Sequence, residues 1–385
     1  MGNTRVNQLT RRKKVAFILI WIGLSAVFAL LCAEIFVRVL FPYNSPDTVR
    51  ENSLQYVPSI FSRHRLQPNQ VIKPDLAWGV RSENEKRDLT YFINEFGYRG
   101  PSFSTPKPKG VCRIVVLGGS TAFDLNADDW PHLLENFLKA MGHKNAEVIN
   151  AGVPGHATFD SLGRLYSQLW TFEPDYVLVY HGWNDFKYWR TLTHEKPLID
   201  HFKPYDDSAD PFRNYQGFLD RLLSMSQLYV KFRNRYFLWK TGVGPEGTVP
   251  QEEYQSTYSP LGVRQFRLNI QLIVDATKNI GATPILLTQA TLVSADNTDE
   301  DRRKIAYEYQ RLTHEAILRA YRSARQVILS VAQEKNVEFL DLGEMFSGQS
   351  DLFADHAHTT PKGSHAIAKA TAIFLADRLG CISLP

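Results

Sequence analysis

The chain has 385 residues, 44% of them hydrophobic and 22% charged, with three cysteines. That composition belongs to a folded globular protein and excludes a disordered chain, a collagen or a disulfide-knotted miniprotein. The formal net charge is +4, and Arg5, Arg11, Arg12, Lys13 and Lys14 contribute five positive charges, so the rest of the chain is one charge negative. A nearly neutral body with no basic stripe excludes the electrostatic footprint of a nucleic-acid binder.

In chain order, residues 1–14 form a basic tail and 15–41 an apolar segment. Its charge-free core, VAFILIWIGLSAVFALLCA, is long enough to cross about 30 Å of hydrocarbon, so it reads as a transmembrane helix. Glu34 and Arg38, spaced i, i+4, can pair at the exit interface, and Pro42 stops the helix. Cleavage as a signal peptide at Val27-Phe28-Ala29 is the rival, but the apolar pattern runs well past that point. Lipidation at Cys32 or Gly2 lacks the required neighbours, since Leu31 and Val6 stand where small and hydroxyl residues belong. Positive charges before the helix keep the N-terminus cytoplasmic and export the remainder, periplasmic or at the cell surface.

Residues 43–110 are polar and irregular, with short alternating pieces such as LTYFI, and close on the linker STPKPKG. This predicts a small stalk or cap. From 111 to 385 the pattern becomes strands alternating with helices: RIVVLG (113–118), EVINAG (147–152), YVLVYHG (176–182), TPILLTQ (283–289) and VEFLDLG (337–343). Apolar throughout, these runs predict a parallel sheet covered on both faces by helices such as 128–141 and 263–281. Ligands of such sheets bind beyond the carboxyl ends of the strands. Residues 186–261 interrupt the rhythm with aromatics and charge, as a lid or substrate-binding insertion or as helices that simply pack on the body. An exported location makes a Cys112–Cys381 bridge possible, because a strand of about 26 Å and a helix of about 27 Å bring their far ends together; two buried thiols are the alternative.

The strand ends carry the chemistry. Leu117-Gly118-Gly119-Ser120-Thr121 allows a tight strand-to-helix bend exposing a serine, although an ordinary glycine turn with a serine cap has the same letters. The next two strands end in Asn150-Ala151-Gly152 and Gly182-Trp183-Asn184-Asp185. Backbone N–H groups of Ser120 and Gly152 with the Asn184 amide make the donor set of an oxyanion hole. Near the C-terminus, Asp355-His356-Ala357-His358 precedes a helix opened by Thr360-Pro361, so the Asp355 carboxylate can reach His358 Nδ1 and leave Nε2 as a base. His356 and His365 near Asp355 would allow a metal cluster, yet nothing else completes a ligand set; no phosphate loop, dinucleotide fingerprint or other cofactor motif occurs. No cofactor and no metal are expected.

These four blocks, GGST (Ser120), NAGVPG (Gly152), GWND (Asn184) and DHAHTTPKG (Asp355, His358), resemble the SGNH/GDSL hydrolases, whose signature residues Ser, Gly, Asn and His occur in that order. The resemblance covers about residues 110–380, and INEFGYRG with the AEIFVR start is similar to membrane-anchored bacterial members. It implies a three-layer α/β/α flavodoxin-like fold with about five parallel strands and serine esterase chemistry, with Ser120, Asp355 and His358 as triad. Gly119 and Thr121 depart from the name motif's Asp and Leu, which weakens the lipase association and leaves the nucleophile intact. For an exported, tethered domain the expected substrate is a small acyl ester, such as acetyl, on cell-envelope carbohydrate. Transfer of the acyl group to a sugar hydroxyl, lipid ester hydrolysis and non-catalytic glycan binding are the alternatives.

Overall fold

The computed structural model describes residues 11–51, 54–72, 90–125, 128–201, 211–241 and 254–381. The tail residue Arg5 and the aromatics Phe202 and Tyr205 lie outside them. The chain divides into two compact units, residues 1–51 with 207–246, and residues 52–206 with 247–385.

Among its described residues the larger unit has nine strands: β1 (Tyr56–Pro58), β2 (His64–Leu66), β3 (Gln70–Ile72), β4 (Tyr91–Ile93), β5 (Cys112–Gly118), β6 (Ala146–Gly152), β7 (Tyr176–His181), β8 (Thr283–Thr288) and β9 (Glu338–Leu340). The last five form one parallel sheet in the order β6-β5-β7-β8-β9. Every residue of β5 and β7 is buried, because helices cover both faces. Alternate side chains divide two cores. Val115, Leu117, Val177 and Val179 face the helices Thr158–Ser167, Pro260–Asn279 and His314–Lys335; Ile114, Val116, Leu178 and Tyr180 face Trp130–Ala140 and Pro361–Ala376. The chain leaves β5 toward β6 on one side and returns to β7 on the other, which makes the carboxyl end of β5 the topological switch point where a crevice opens.

The five expected core strands are present, with the last shortened. Asp341 ends β9 because its carboxylate caps the next helix, accepting from Glu344 N (3.2 Å) and Thr288 Oγ1 (2.7 Å). Cys112, at the start of β5, is disulfide-bonded to Cys381 beyond the final helix. The described parts of 54–110 differ from a free stalk. β1 pairs with β2, β3 with β4, and Arg99 bridges to Asn150 of β6, so the segment is integrated into this unit.

The smaller unit is helical. Arg11–Leu40 is one continuous helix; its stretch Arg12–Leu40 has a mean hydropathy of 2.7 in its most apolar window, none of which is buried. Val37 is buried, as is Val230 of the helix Gln227–Thr241. The aromatic insertion is thus split between units, with Trp189 buried against Phe186 and Phe266 in the larger one and residues 211–241 in the smaller.

Candidate active site

At the switch point, β5 ends in Gly118-Gly119 and turns at once into the short helix Ser120–Phe123. Both glycines are required by close approach. A Cβ on Gly118 would stand 2.7 Å from the Tyr180 carbonyl oxygen, and one on Gly119 would stand 2.4 Å from Asn184 Nδ2 and 2.9 Å from the His156 carbonyl oxygen. The bend therefore packs Gly119, the residue before the serine, directly against the Asn184 amide.

His358 arrives from the opposite end of the chain. Its Nε2 lies 2.7 Å from Ser120 Oγ, and its Nδ1 lies 2.7 Å from Asp355 Oδ2. With Nδ1–H donating to the carboxylate, Nε2 is left to accept the serine proton. The other carboxylate oxygen accepts from the backbone of Ala357 (3.0 Å) and His358 (2.8 Å), which fixes the acid's orientation. Burial lowers the His358 pKa, but the Asp355 charge and hydrogen bond outweigh it and hold the imidazole above its ordinary range. Burial pushes the Asp355 carboxyl the other way; the two histidines beside it and its hydrogen bonds keep it well below the usual carboxylate range.

The histidine loop is pinned to the serine turn. Asp124, one residue past the serine's helix, accepts from Thr359 Oγ1 (2.7 Å), Ser364 Oγ (2.6 Å) and Trp130 N (2.9 Å). The His356 carbonyl accepts from Leu292 N (3.0 Å) and Thr291 Oγ1 (2.6 Å). His356 itself is neutral: burial drops its pKa to about 4, and its ring lies 3.9 Å from that of Trp183.

Asn184 is equally constrained. Its Nδ2 donates to the His156 carbonyl (2.9 Å), Tyr309 donates its hydroxyl to Oδ1 (3.2 Å), and the second Nδ2–H remains for a ligand. Asp185 anchors the helix that carries it by accepting from Thr158 N (3.1 Å) and Oγ1 (2.6 Å), and burial raises its pKa to about 7. Gln289 at the end of β8 joins two signature turns, accepting from Trp183 N (2.6 Å) and donating to Thr121 Oγ1 (2.9 Å).

Gly152 is a correction. Its N–H donates to Asn150 Oδ1 (3.0 Å) and is not free for the crevice. Past the end of β6 the chain turns, and Gly155, at φ +83°, has an N–H with no partner among the described residues. That turn is clamped from the integrated N-terminal segment. Arg63 donates to the Gly155 carbonyl (2.7 Å) and pairs with Asp160 (2.6 Å), and His64 Nε2 lies 2.9 Å from the Pro154 carbonyl oxygen.

Among the described residues, two clusters have the composition of a metal site, Asp355-His356-His358 and Cys112-Asp175-Cys381. In the first, a cation would have to displace the serine from Nε2 or the carboxylate from Nδ1 of His358; in the second, both sulfurs are already bonded to one another. His365 packs its ring on Phe137, apart from these groups. Sequence reasoning did not single out Gly155, Arg63, Tyr309 or Gln289, although Gly155 closes the NAGVPG block and Gln289 stands at a strand's carboxyl end.

Residues 116–366 match the model of the GDSL-like lipase/acylhydrolase family. Among solved structures, the chain is similar to a lipase/acylhydrolase from Enterococcus faecalis (19% identity, TM-score 0.42, covering 71% of this chain and 100% of that one). It is also similar to the acetyl xylan esterase AlAXEase (14%, 0.40, 68% and 99%) and to an acylhydrolase from Bacteroides fragilis (13%, 0.39, 72% and 91%). No curated protein matches. With the family model spanning most of its length, the chain belongs to the GDSL-like lipase/acylhydrolase family, a family of ester hydrolases.

Proposed function

We propose that the protein is a membrane-anchored, extracytoplasmic serine esterase that removes small acyl groups from carbohydrate of the cell envelope. The observation that carries the chemistry is the unbroken relay Ser120 Oγ, His358 Nε2, His358 Nδ1, Asp355 Oδ2, with both contacts at 2.7 Å. As Ser120 Oγ bonds to the ester carbonyl carbon, its proton passes to His358 Nε2, and the imidazolium that forms faces the Asp355 carboxylate. The carbonyl oxygen becomes an oxyanion, met by the N–H groups of Ser120 and Gly155 and by Asn184 Nδ2. The C–O bond to the alcohol then breaks and His358 returns its proton to the departing oxygen. Water, deprotonated by the same imidazole, releases the acyl group and restores the serine.

Support for the location is the long apolar helix with its basic flank, and the Cys112–Cys381 disulfide, which persists in oxidising compartments. Support for a sugar ester is the ring of Tyr309, about two-fifths exposed and hydrogen-bonded to the Asn184 amide. An exposed aromatic face with an adjacent polar group suits the face of a sugar. The test is hydrolysis of nitrophenyl esters of increasing acyl length by the full chain in detergent, beside Ser120→Ala, followed by acetylated glycans. Acetate cleaved fastest and a dead variant are expected. Equal activity in the variant would overturn the reading.

A further inference from the structure

In the smaller unit the helix Phe218–Leu223 is inside out. Its polar side is turned inward: Asp220 accepts from Arg233 Nε (2.7 Å) and Nη2 (2.8 Å) and from Tyr229 Oη (3.0 Å), and Ser224 is buried one turn on. Its apolar side faces outward, with Phe218, Leu219, Leu222, Leu223 and Met225 between 49% and 79% exposed. Positions 218, 219, 222 and 223 share one helix face, so these side chains form one contiguous patch. A helix packed against a protein in water shows the opposite arrangement.

The depth of this patch is fixed by the long helix beside it. Its nineteen charge-free residues, 15–33, span about 28 Å at 1.5 Å per residue, which brings Glu34 to the edge of the hydrocarbon. Glu34 is where the patch is tied. It accepts from Ser226 Oγ (2.7 Å), Gln227 N (2.9 Å) and Leu228 N (2.9 Å), capping the helix that follows Met225, while Arg38 donates to the Met225 carbonyl (3.0 Å). The exposed apolar residues are therefore held at the level where the long helix leaves the bilayer.

We infer that the helix Phe218–Leu223 with Met225 is a second, interfacial membrane contact, lying in the plane of the bilayer with its apolar face among the upper acyl chains. It rests on the reading of residues 15–41 as a membrane span. The Asp220–Arg233 pair sets the helix's rotation and Glu34 sets its depth, so the unit is a spanning helix with a flat foot beside it.

The experiment places an environment-sensitive fluorophore on Leu222→Cys, on Met225→Cys and on Leu24→Cys, each in a Cys32→Ser background. The full chain is reconstituted in phosphatidylcholine–phosphatidylglycerol vesicles containing lipids spin-labelled near the headgroup or deep in the chain. Retained hydrolysis of a soluble ester shows each variant folded. The expected result is deep-label quenching at Leu24, and at Leu222 and Met225 shallow-label quenching severalfold above deep-label quenching, with protection from aqueous iodide. Quenching at Leu24, with iodide access and no lipid quenching at Leu222 and Met225, overturns the inference and leaves the anchor standing. Protection from iodide without lipid quenching overturns it in favour of a second copy of the chain. An unquenched Leu24 removes the anchor reading and the inference with it.

Discussion

The two units sort polar and apolar groups in opposite senses. Around Ser120 the larger unit buries carboxylates that are each held by several hydrogen bonds: Asp355 takes them from three donors, Asp124 from three, and Asp185 from two. In the smaller unit the Asp220–Arg233 pair is turned inward while leucines and phenylalanine face out. The first arrangement preorganises a reaction in water, since each fixed dipole is already aimed where charge will develop. The second fits apolar surroundings, as the proposed interfacial contact requires.

If polar pairing in the larger unit serves catalysis, deleting its members should cost turnover in a graded order, and any silent member breaks the contrast. The largest loss is expected for Ser120→Ala, about 10⁴-fold or more in kcat with an unchanged Tm, measured by ester hydrolysis and calorimetry. Asp355→Asn should lower kcat by up to about four orders of magnitude, because the imidazole loses its orienting acceptor. Its pH profile adds a second readout. His358 must be neutral to accept a proton, so activity falls as pH drops through its pKa, which lies above the ordinary value of about 6.5. Without the Asp355 charge that acid limb should move to lower pH; a limb that stays in place would mean another group controls it.

Asn184→Ala should cost about a hundredfold or more in kcat with KM little altered, the signature of a donor engaged in the transition state. Arg63→Met leaves Asp160 buried without its cation and releases the Gly155 carbonyl, so unfolding stability should fall by about 3 kcal/mol, and kcat should fall while KM holds. Partial recovery of kcat in Arg63→Lys would separate turn positioning from general damage. Tyr309→Phe is the smallest: removal of one neutral hydrogen bond to Asn184 Oδ1, worth about 1 kcal/mol, should slow turnover about fivefold.

Much of this was legible in the order of residues. Runs such as RIVVLG and YVLVYHG are apolar without alternation because both sheet faces are covered, and the polar residues that end them fall at one edge because the strands are parallel. Ser120 and Asn184 stand out for that reason; Asp355 and His358, which end no strand, stand out by their i, i+3 spacing just ahead of the Thr360-Pro361 helix start. The engagement of the Gly152 N–H does not, because whether an N–H at a strand end is free depends on what the side chain two residues earlier does, and Asn150 turns back to take it. Arg63 was hidden by distance, since it meets Gly155 across 92 positions of chain. Residues 43–110 read as a small stalk or cap because the strands described there have three residues each, too short for periodicity to register.

The bond between Cys112 and Cys381 joins positions 269 residues apart. It turns residues 112–381, from the first core strand to beyond the last helix, into a closed covalent ring from which residues 1–111 emerge as a single tail. A protease that cuts once anywhere inside that ring, the 211–241 segment included, frees nothing: the halves stay linked through sulfur, and only a reductant lets them part.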